Sequence, residues 1–140
     1  MRAVGKLVRD YIPSIIAESG KSCKWRIAMD AEEKALLLAR KLREEVTELT
    51  MADTKDDVIE EVADIYEVTL AIEAFRYRHT EYLVSEKFPN VVSYSDAIEL
   101  VKKMMSLYVV DQIEIMAKVT EKRKERGAFS MFIVLDEVEE

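Results

Sequence analysis

Two long segments with helical periodicity dominate the chain, and very few residues separate them. Asp30, with a glutamate three residues later, predicts the capped start of a helix over residues 31 to about 51. Thr54, with an aspartate three residues later, predicts the start of a second helix over residues 55 to about 79. A link this short joins antiparallel neighbours, so the sequence predicts a helical hairpin.

Acidic residues recur on both predicted helices at the rim of the apolar stripe. Glu45 and Glu48 are three residues apart on the first helix. Glu61 and Asp64 have the same spacing on the second, and this spacing puts each pair on one helical face. When the stripes pack together, the acids converge, and their repulsion costs on the order of several kcal/mol. Since each face offers few basic residues, we expect a hard divalent cation there, Mg²⁺ or Mn²⁺.

The rest of the chain also predicts helices. Three Gly and two Pro in 140 residues leave few turn residues. Asp10 is expected to cap a short helix, and Ser95 to cap a helical stretch that reaches Arg126, as one helix or as two divided near residues 110–111. Alternating residues at 23–29 and 132–135 favour strands that pair as a small antiparallel ribbon from the two ends. The predicted fold class is therefore all-α, with this two-stranded ribbon as its only sheet.

The composition restricts the function classes. A net charge of −7 argues against general binding to nucleic-acid polymers, which relies on Lys and Arg to neutralise phosphates. No run of eighteen apolar residues occurs and the first residues are charged, so we expect neither a membrane span nor a signal sequence and a cytoplasmic location. Cys23 is the only cysteine, which excludes an internal disulfide and a zinc site built from cysteines.

Three sequence patterns carry a family resemblance. Residues 44–64 read Glu-Glu-x-x-Glu, a spacer, then Glu-x-x-Asp; residues 6–13 read Lys-Leu-Val-Arg-Asp-Tyr-Ile-Pro; residues 126–129 read Arg-Gly-Ala-Phe. The first pattern is similar to the metal-binding signature of the MazG-like and phosphoribosyl-ATP pyrophosphohydrolase-like superfamily of all-α nucleoside triphosphate pyrophosphatases. The other two resemble the opening and closing segments of one branch, except that Tyr11 replaces a lysine and Ala128 a glycine, so we expect no essential role at either position.

The resemblance implies a Mg²⁺-dependent enzyme that cleaves the α–β phosphoanhydride of a nucleoside triphosphate into monophosphate and pyrophosphate. It implies one domain over residues 1–140, a helical hairpin packed into an oligomeric bundle as a homodimer or homotetramer, with residues 77–107 as an insertion. The implied metal ligands, direct or through water, are Glu45, Glu48, Glu61 and Asp64. Glu44 lies beside them, either as an acid that orients a ligand or as a base for the attacking water. The implied phosphate contacts are Lys6, Arg9, Lys122 and Arg126.

Several alternatives stay open. A hydrolase of another nucleotide pyrophosphate, such as phosphoribosyl-ATP, would share the site and differ in its pocket. A helical oligomer with a regulatory or scaffolding role would keep the fold without the activity, since paired acids are common on any acidic helix. A ferritin-like di-iron bundle is excluded because it needs Glu-x-x-His on two helices and the chain has one histidine.

Overall fold

A computed structural model describes residues 1–79 and 94–140 of the chain. Within these residues the chain forms five helices and three strands. In order, they are β1 (Arg2–Val8), α1 (Ile12–Glu18), β2 (Cys23–Ile27), α2 (Ala31–Thr50), α3 (Lys55–Arg78), α4 (Tyr94–Leu107), α5 (Gln112–Arg126) and β3 (Ile133–Val138). No helix in these ranges is long and apolar enough to cross a membrane.

An antiparallel sheet joins the two ends of the chain, so the all-α prediction is wrong and the fold is α/β. The strand order is β1-β3-β2, with the C-terminal strand in the centre. The pairing of β2 with β3 confirms the predicted ribbon. The sequence pattern missed β1 because a bulge between Ala3 and Lys6 interrupts its register, with Gly5 at φ 64°. A bulge of this kind breaks the period-two alternation by which strands are found in a sequence.

The helical hairpin formed by α2 and α3 is confirmed with both of its predicted caps. The Asp30 side chain accepts a hydrogen bond from the Glu33 amide at 2.8 Å, and the Thr54 hydroxyl accepts one from the Asp57 amide at 3.0 Å. The facing apolar stripes form the core between the two helices, with Leu49 and Val58 both 0% exposed. Burying each such side chain stabilises the fold by about 1.5–3 kcal/mol. Because sliding one helix along the other would expose these side chains, the apolar stripes fix the register of the two helices and bring the acids together.

The second helical stretch is divided where the sequence predicted. α4 ends at Leu107, and α5 begins after Asp111, whose carboxylate accepts from the Glu114 amide in a complete capping box. Ser95 lies inside α4 rather than at its cap. Of the predicted insertion at 77–107, α4 contributes Ala97 and Met104 to the core, while residues 80–93 lie outside the described part of the chain.

The turn after β1 is fastened to the segment that follows α5. Asp10 does not cap α1, whose N-cap position is Tyr11 and has no side-chain cap. The Asp10 carboxylate accepts instead from the amides of Ser130 and Met131, at 3.2 and 3.0 Å. The Asp10 amide donates to the Ala128 carbonyl at 2.8 Å. The carboxylate therefore holds the end of β1 against the chain beyond α5, which fixes the neighbouring Arg9 in position.

Candidate metal centre

Three carboxylates converge where α2 and α3 face each other. Glu45, Glu61 and Asp64 each offer one oxygen, and these oxygens all lie within 4.8 Å of one another. Glu45 comes from α2 and is 5% exposed, whereas Glu61 and Asp64 lie one turn apart on α3 and are partly exposed. The hairpin thus brings together an all-oxygen set from residues that are sixteen and nineteen positions apart in the chain. Carboxylate oxygens are the donor type that Mg²⁺ and Mn²⁺ prefer.

Two oxygens of this cluster are buried without a partner. Among the described residues, no donor reaches Oε2 of Glu45 or Oε2 of Glu61. Burial raises the pKa of Glu45 to about 7, with Lys41 opposing the shift and Asp64, Glu48 and Glu44 adding to it. Burial likewise raises the pKa of Glu61 to about 8, helped by a hydrogen bond and charge repulsion from Glu48. Both groups therefore carry protons near neutral pH unless a cation replaces those protons.

The fourth predicted ligand, Glu48, is placed differently. Glu48 is exposed, and its carboxylate is not among the three whose oxygens converge. It interacts with the cluster through the side-chain hydrogen bond to Glu61. Glu48 therefore touches one ligand of the cluster from the solvent side and does not complete the cluster itself.

Three basic residues partly neutralise the acids, two from outside the hairpin and one from α2, which corrects the expectation that few cations are available. Asp64 Oδ1 accepts from Arg9 Nη2 at the end of β1 and from Lys122 Nζ on α5, each at 2.7 Å. Lys41 Nζ lies 3.5 Å from Glu45 Oε1. These cations pair with Asp64 and with Oε1 of Glu45. Within residues 1–79 and 94–140, no cation pairs with Glu61 or with Oε2 of Glu45.

The four predicted phosphate contacts separate into two kinds. Arg9 and Lys122 are buried, at 6% and 3% exposure, and both are engaged by acids: Lys122 also donates to Glu60 at 2.5 Å, and Arg9 also donates to the Gly127 carbonyl at 3.0 Å. Lys6 is exposed and pairs with Glu44 at 3.1 Å. The Arg126 side chain is exposed. The first two are therefore built into the cluster, and the last two face solvent.

Glu44, the predicted base, lies beside the cluster between two lysines. Its Oε1 pairs with Lys6 at 3.1 Å and its Oε2 with Lys41 at 3.4 Å, and its side chain is 31% exposed. Because Lys41 also contacts Glu45, one lysine connects the predicted base to the buried acid of the cluster.

Sequence reasoning missed a second ion cluster one turn further along α3. Glu67 is 3% exposed, and Arg123 Nε and Nη2 donate to its two carboxylate oxygens at 2.7 and 2.8 Å. Arg9 Nη1 lies 3.8 Å from the same carboxylate. A signal was present, because Glu60, Asp64 and Glu67 follow at steps of four and three on one helical face. The α5 residues that pair with this face are Lys118, Lys122 and Arg123.

Comparisons with known proteins leave the family of this chain open. No family model matches it, and no solved structure matches it. A stretch of 57 residues, 41% of the chain, is 47% identical to an uncharacterized protein from Mycolicibacterium smegmatis. The stretch corresponds to 57% of that protein's length, so the chain spans little more than half of this relative.

Proposed function

We propose that this chain is a Mg²⁺-dependent nucleotide pyrophosphohydrolase that converts a nucleoside triphosphate and water to the monophosphate and pyrophosphate. The metal dependence rests on one observation: three carboxylate oxygens within 4.8 Å, in a cluster with two buried oxygens that have no partner among the described residues. The nucleotide substrate and the bond that is cleaved are what the family resemblance of residues 6–13, 44–64 and 126–129 implies. An unpartnered buried carboxylate oxygen costs about 1–3 kcal/mol. A fold retains such a cluster most readily when a cation binds there.

The donor set suits a hard divalent cation. All three groups are carboxylates, with no sulfur or imidazole among them. Glu45, Glu61 and Asp64 would hold the ion, and Glu48 would orient Glu61 through its hydrogen bond. When bound, the ion supplies positive charge against the phosphate oxygens and makes an attacking water more acidic.

The basic residues have different tasks in this proposal. Arg9 and Lys122 are buried and each lies 2.7 Å from Asp64, so they position that carboxylate and limit its charge. Lys6, whose side chain is 47% exposed, can turn from Glu44 to a phosphate, and Arg126 lies exposed for the same task. Once Lys6 has turned, Oε1 of Glu44 can accept the proton of the attacking water.

Oligomerisation is part of the proposal. Large apolar side chains are exposed at the turn end of the hairpin and at the adjoining link between α4 and α5. They are Met51, Leu107, Val109 and Ile113, exposed by 76, 65, 80 and 80%. The Tyr108 hydroxyl, 3.4 Å from the Ala52 carbonyl, brings these two links together, so the side chains gather at one end of the fold. This surface supports association into a homodimer or homotetramer.

The test is a panel of nucleoside triphosphates, with phosphoribosyl-ATP included, incubated with Mg²⁺ or Mn²⁺ and analysed for monophosphate and pyrophosphate. We expect metal-dependent release of pyrophosphate from at least one substrate. Glu61→Gln should lower kcat by at least about 100-fold, because loss of a charge-stabilising group of this kind costs about 2.7 kcal/mol or more. Glu73→Gln, an exposed acid on the same helix, should keep the activity.

Two results would count against the proposal. Release of inorganic phosphate and the diphosphate would place cleavage at the wrong bond. A folded, metal-loaded protein that turns over no member of the panel, with Glu61→Gln indistinguishable from wild type, would favour the regulatory or scaffolding alternative.

A further inference from the structure

A cavity of about 370 Å³ lies along the C-terminal half of α3, apart from the three acids. Its lining reaches from Glu67 to His79 on α3 and is completed by residues of α2, α5 and the segment before β3. Ala74, at the middle of this stretch, is ten residues beyond Asp64, which corresponds to about 15 Å along a helix. The volume is in the range of small-molecule sites, about 300–1,000 Å³, so the cavity can hold a ligand of its own.

The wall of the cavity is aromatic and apolar. Phe75, Phe129 and Phe132 contribute three rings, and Leu70, Ala71 and Ala74 contribute small and branched surfaces between them. Rings favour flat apolar partners, because stacked and edge-on arrangements add about 0.5–1.5 kcal/mol to the area that they bury. The shape and lining therefore suit a planar ring.

The charged residues of the cavity are predominantly positive, although the whole chain carries −7. Among the described lining residues the one acid is Glu67, and both of its carboxylate oxygens accept from Arg123 at the end nearest to the metal centre. The outer end carries Lys34 and Arg78, and neither has an ion-pair partner within residues 1–79 and 94–140. Two cations that have no counterion in the described part of the chain, at one end of an apolar cavity, attract an oxyanion.

Phe132, on the cavity wall, has a strained backbone. Its backbone has φ 54°, the left-handed region, which costs a bulky non-glycine residue about 1–2 kcal/mol. This conformation places its ring 5.0 Å from Lys34 Nζ, while its carbonyl accepts from the Ala28 amide at 2.9 Å. The ring and the ammonium are thus held together on the cavity wall. The ring can contact a flat ligand, and the ammonium can pair with the negative charge of that ligand.

We propose that this cavity binds a small molecule in which a flat apolar ring carries one phosphate or carboxylate group. The ring lies among the three phenylalanines, and the oxyanion lies at the outer end against Lys34 and Arg78. The site is separate from the metal centre and requires no metal.

The test is titration of the full metal-free chain, in EDTA, with phenyl phosphate and with phenylacetate, followed by NMR of the labelled protein. We expect saturable binding of at least one of them, with shifts at Ala71, Ala74 and the three phenylalanines. Inorganic phosphate alone and benzyl alcohol alone should each bind at least about tenfold more weakly, since each lacks half of the recognised chemistry. The comparison of the two anions identifies the preferred oxyanion.

Variants locate the site. Lys34→Gln and Arg78→Gln should each weaken binding about five- to tenfold, and Ala74→Leu, which fills the cavity from an exposed helical position, should abolish it. Lys103→Gln, an exposed cation on α4, is the matched control and should bind as wild type does. The proposal is overturned when neither anion binds, when both cation variants bind normally, or when inorganic phosphate binds as tightly as the aromatic anions. These readouts use no Mg²⁺ and no turnover, so they are independent of the proposed hydrolase activity.

Discussion

Replacing Glu61 with glutamine should make the metal-free protein more stable at alkaline pH. Burial raises the pKa of Glu61 from 4.5 to about 8 in the folded state. The folded protein therefore holds a proton between these values that the unfolded chain has already released. Stability from this group is fully present below pH 4.5 and falls as the pH rises toward 8. Glutamine resembles the protonated acid and does not titrate, so the variant avoids this loss.

The magnitude follows from the size of the shift. A difference of three to four pKa units corresponds to about 5 kcal/mol, and because Glu61 is partly exposed to solvent we reduce this to about 2 kcal/mol. Urea unfolding in EDTA measures it at pH 5 and pH 8. We expect Glu61→Gln to exceed wild type by about 2 kcal/mol at pH 8 and by less than about 0.5 kcal/mol at pH 5.

The comparison between variant and wild type removes the effects of acids that lie outside the cluster. Glu33 and Glu114, for example, have pKa values lowered by their hydrogen bonds and lose stabilisation as the pH falls. Their contributions cancel in the difference. If Glu61→Gln is equal to or less stable than wild type at pH 8 without metal, the carboxyl is not strained by burial and the reasoning about the cluster is refuted.

Three further predictions follow from the fold. Arg123→Met leaves the buried Glu67 carboxylate with only Arg9, at 3.8 Å, and should lower the free energy of unfolding by about 2–3 kcal/mol; a urea midpoint equal to wild type contradicts this. Val109 is exposed and its backbone has φ 54°, a conformation that glycine adopts without strain. Val109→Gly should therefore raise the free energy of unfolding by about 0.5–1 kcal/mol, whereas Val109→Ala should not, and thermal unfolding measures both. Light scattering after gel filtration should give the mass of a dimer or tetramer, and Ile113→Glu should shift it toward the monomer; a monomeric wild type refutes the proposed contact surface.

The hairpin could be predicted from the sequence because local signals and packing agree there. The caps at Asp30 and Thr54 mark both helix starts, and the short link leaves only an antiparallel arrangement. The apolar stripes then fix which acids meet, and Glu45, Glu61 and Asp64 do converge. The fourth acid predicted to join them, Glu48, is exposed and lies outside this group, so periodicity identified three of the four members.

The sheet and the ion pairs could not be predicted in the same way, because they depend on contacts between distant residues. β1 pairs with β3 across more than 120 residues, and its bulge removes the alternation that would have marked it as a strand. Asp64 pairs with Arg9, which follows β1, and with Lys122 on α5. Both reach this acid only after the sheet and the helices have packed. Helical periodicity shows which residues share one face of a helix, but it does not show which residues from other elements pack against that face.

The most direct test of the central claim is titration of the metal-free protein with Mn²⁺ at pH 7, followed by electron paramagnetic resonance and by the protons released. We predict saturable binding with release of about one proton or more per ion, because Glu45 and Glu61, with pKa values of about 7 and 8, must lose protons to act as ligands. Glu61→Gln should weaken binding at least about tenfold, and Glu73→Gln should leave it unchanged. Absence of Mn²⁺ binding to the folded wild-type chain, or equal binding by Glu61→Gln, would contradict the claim that these acids form a metal centre.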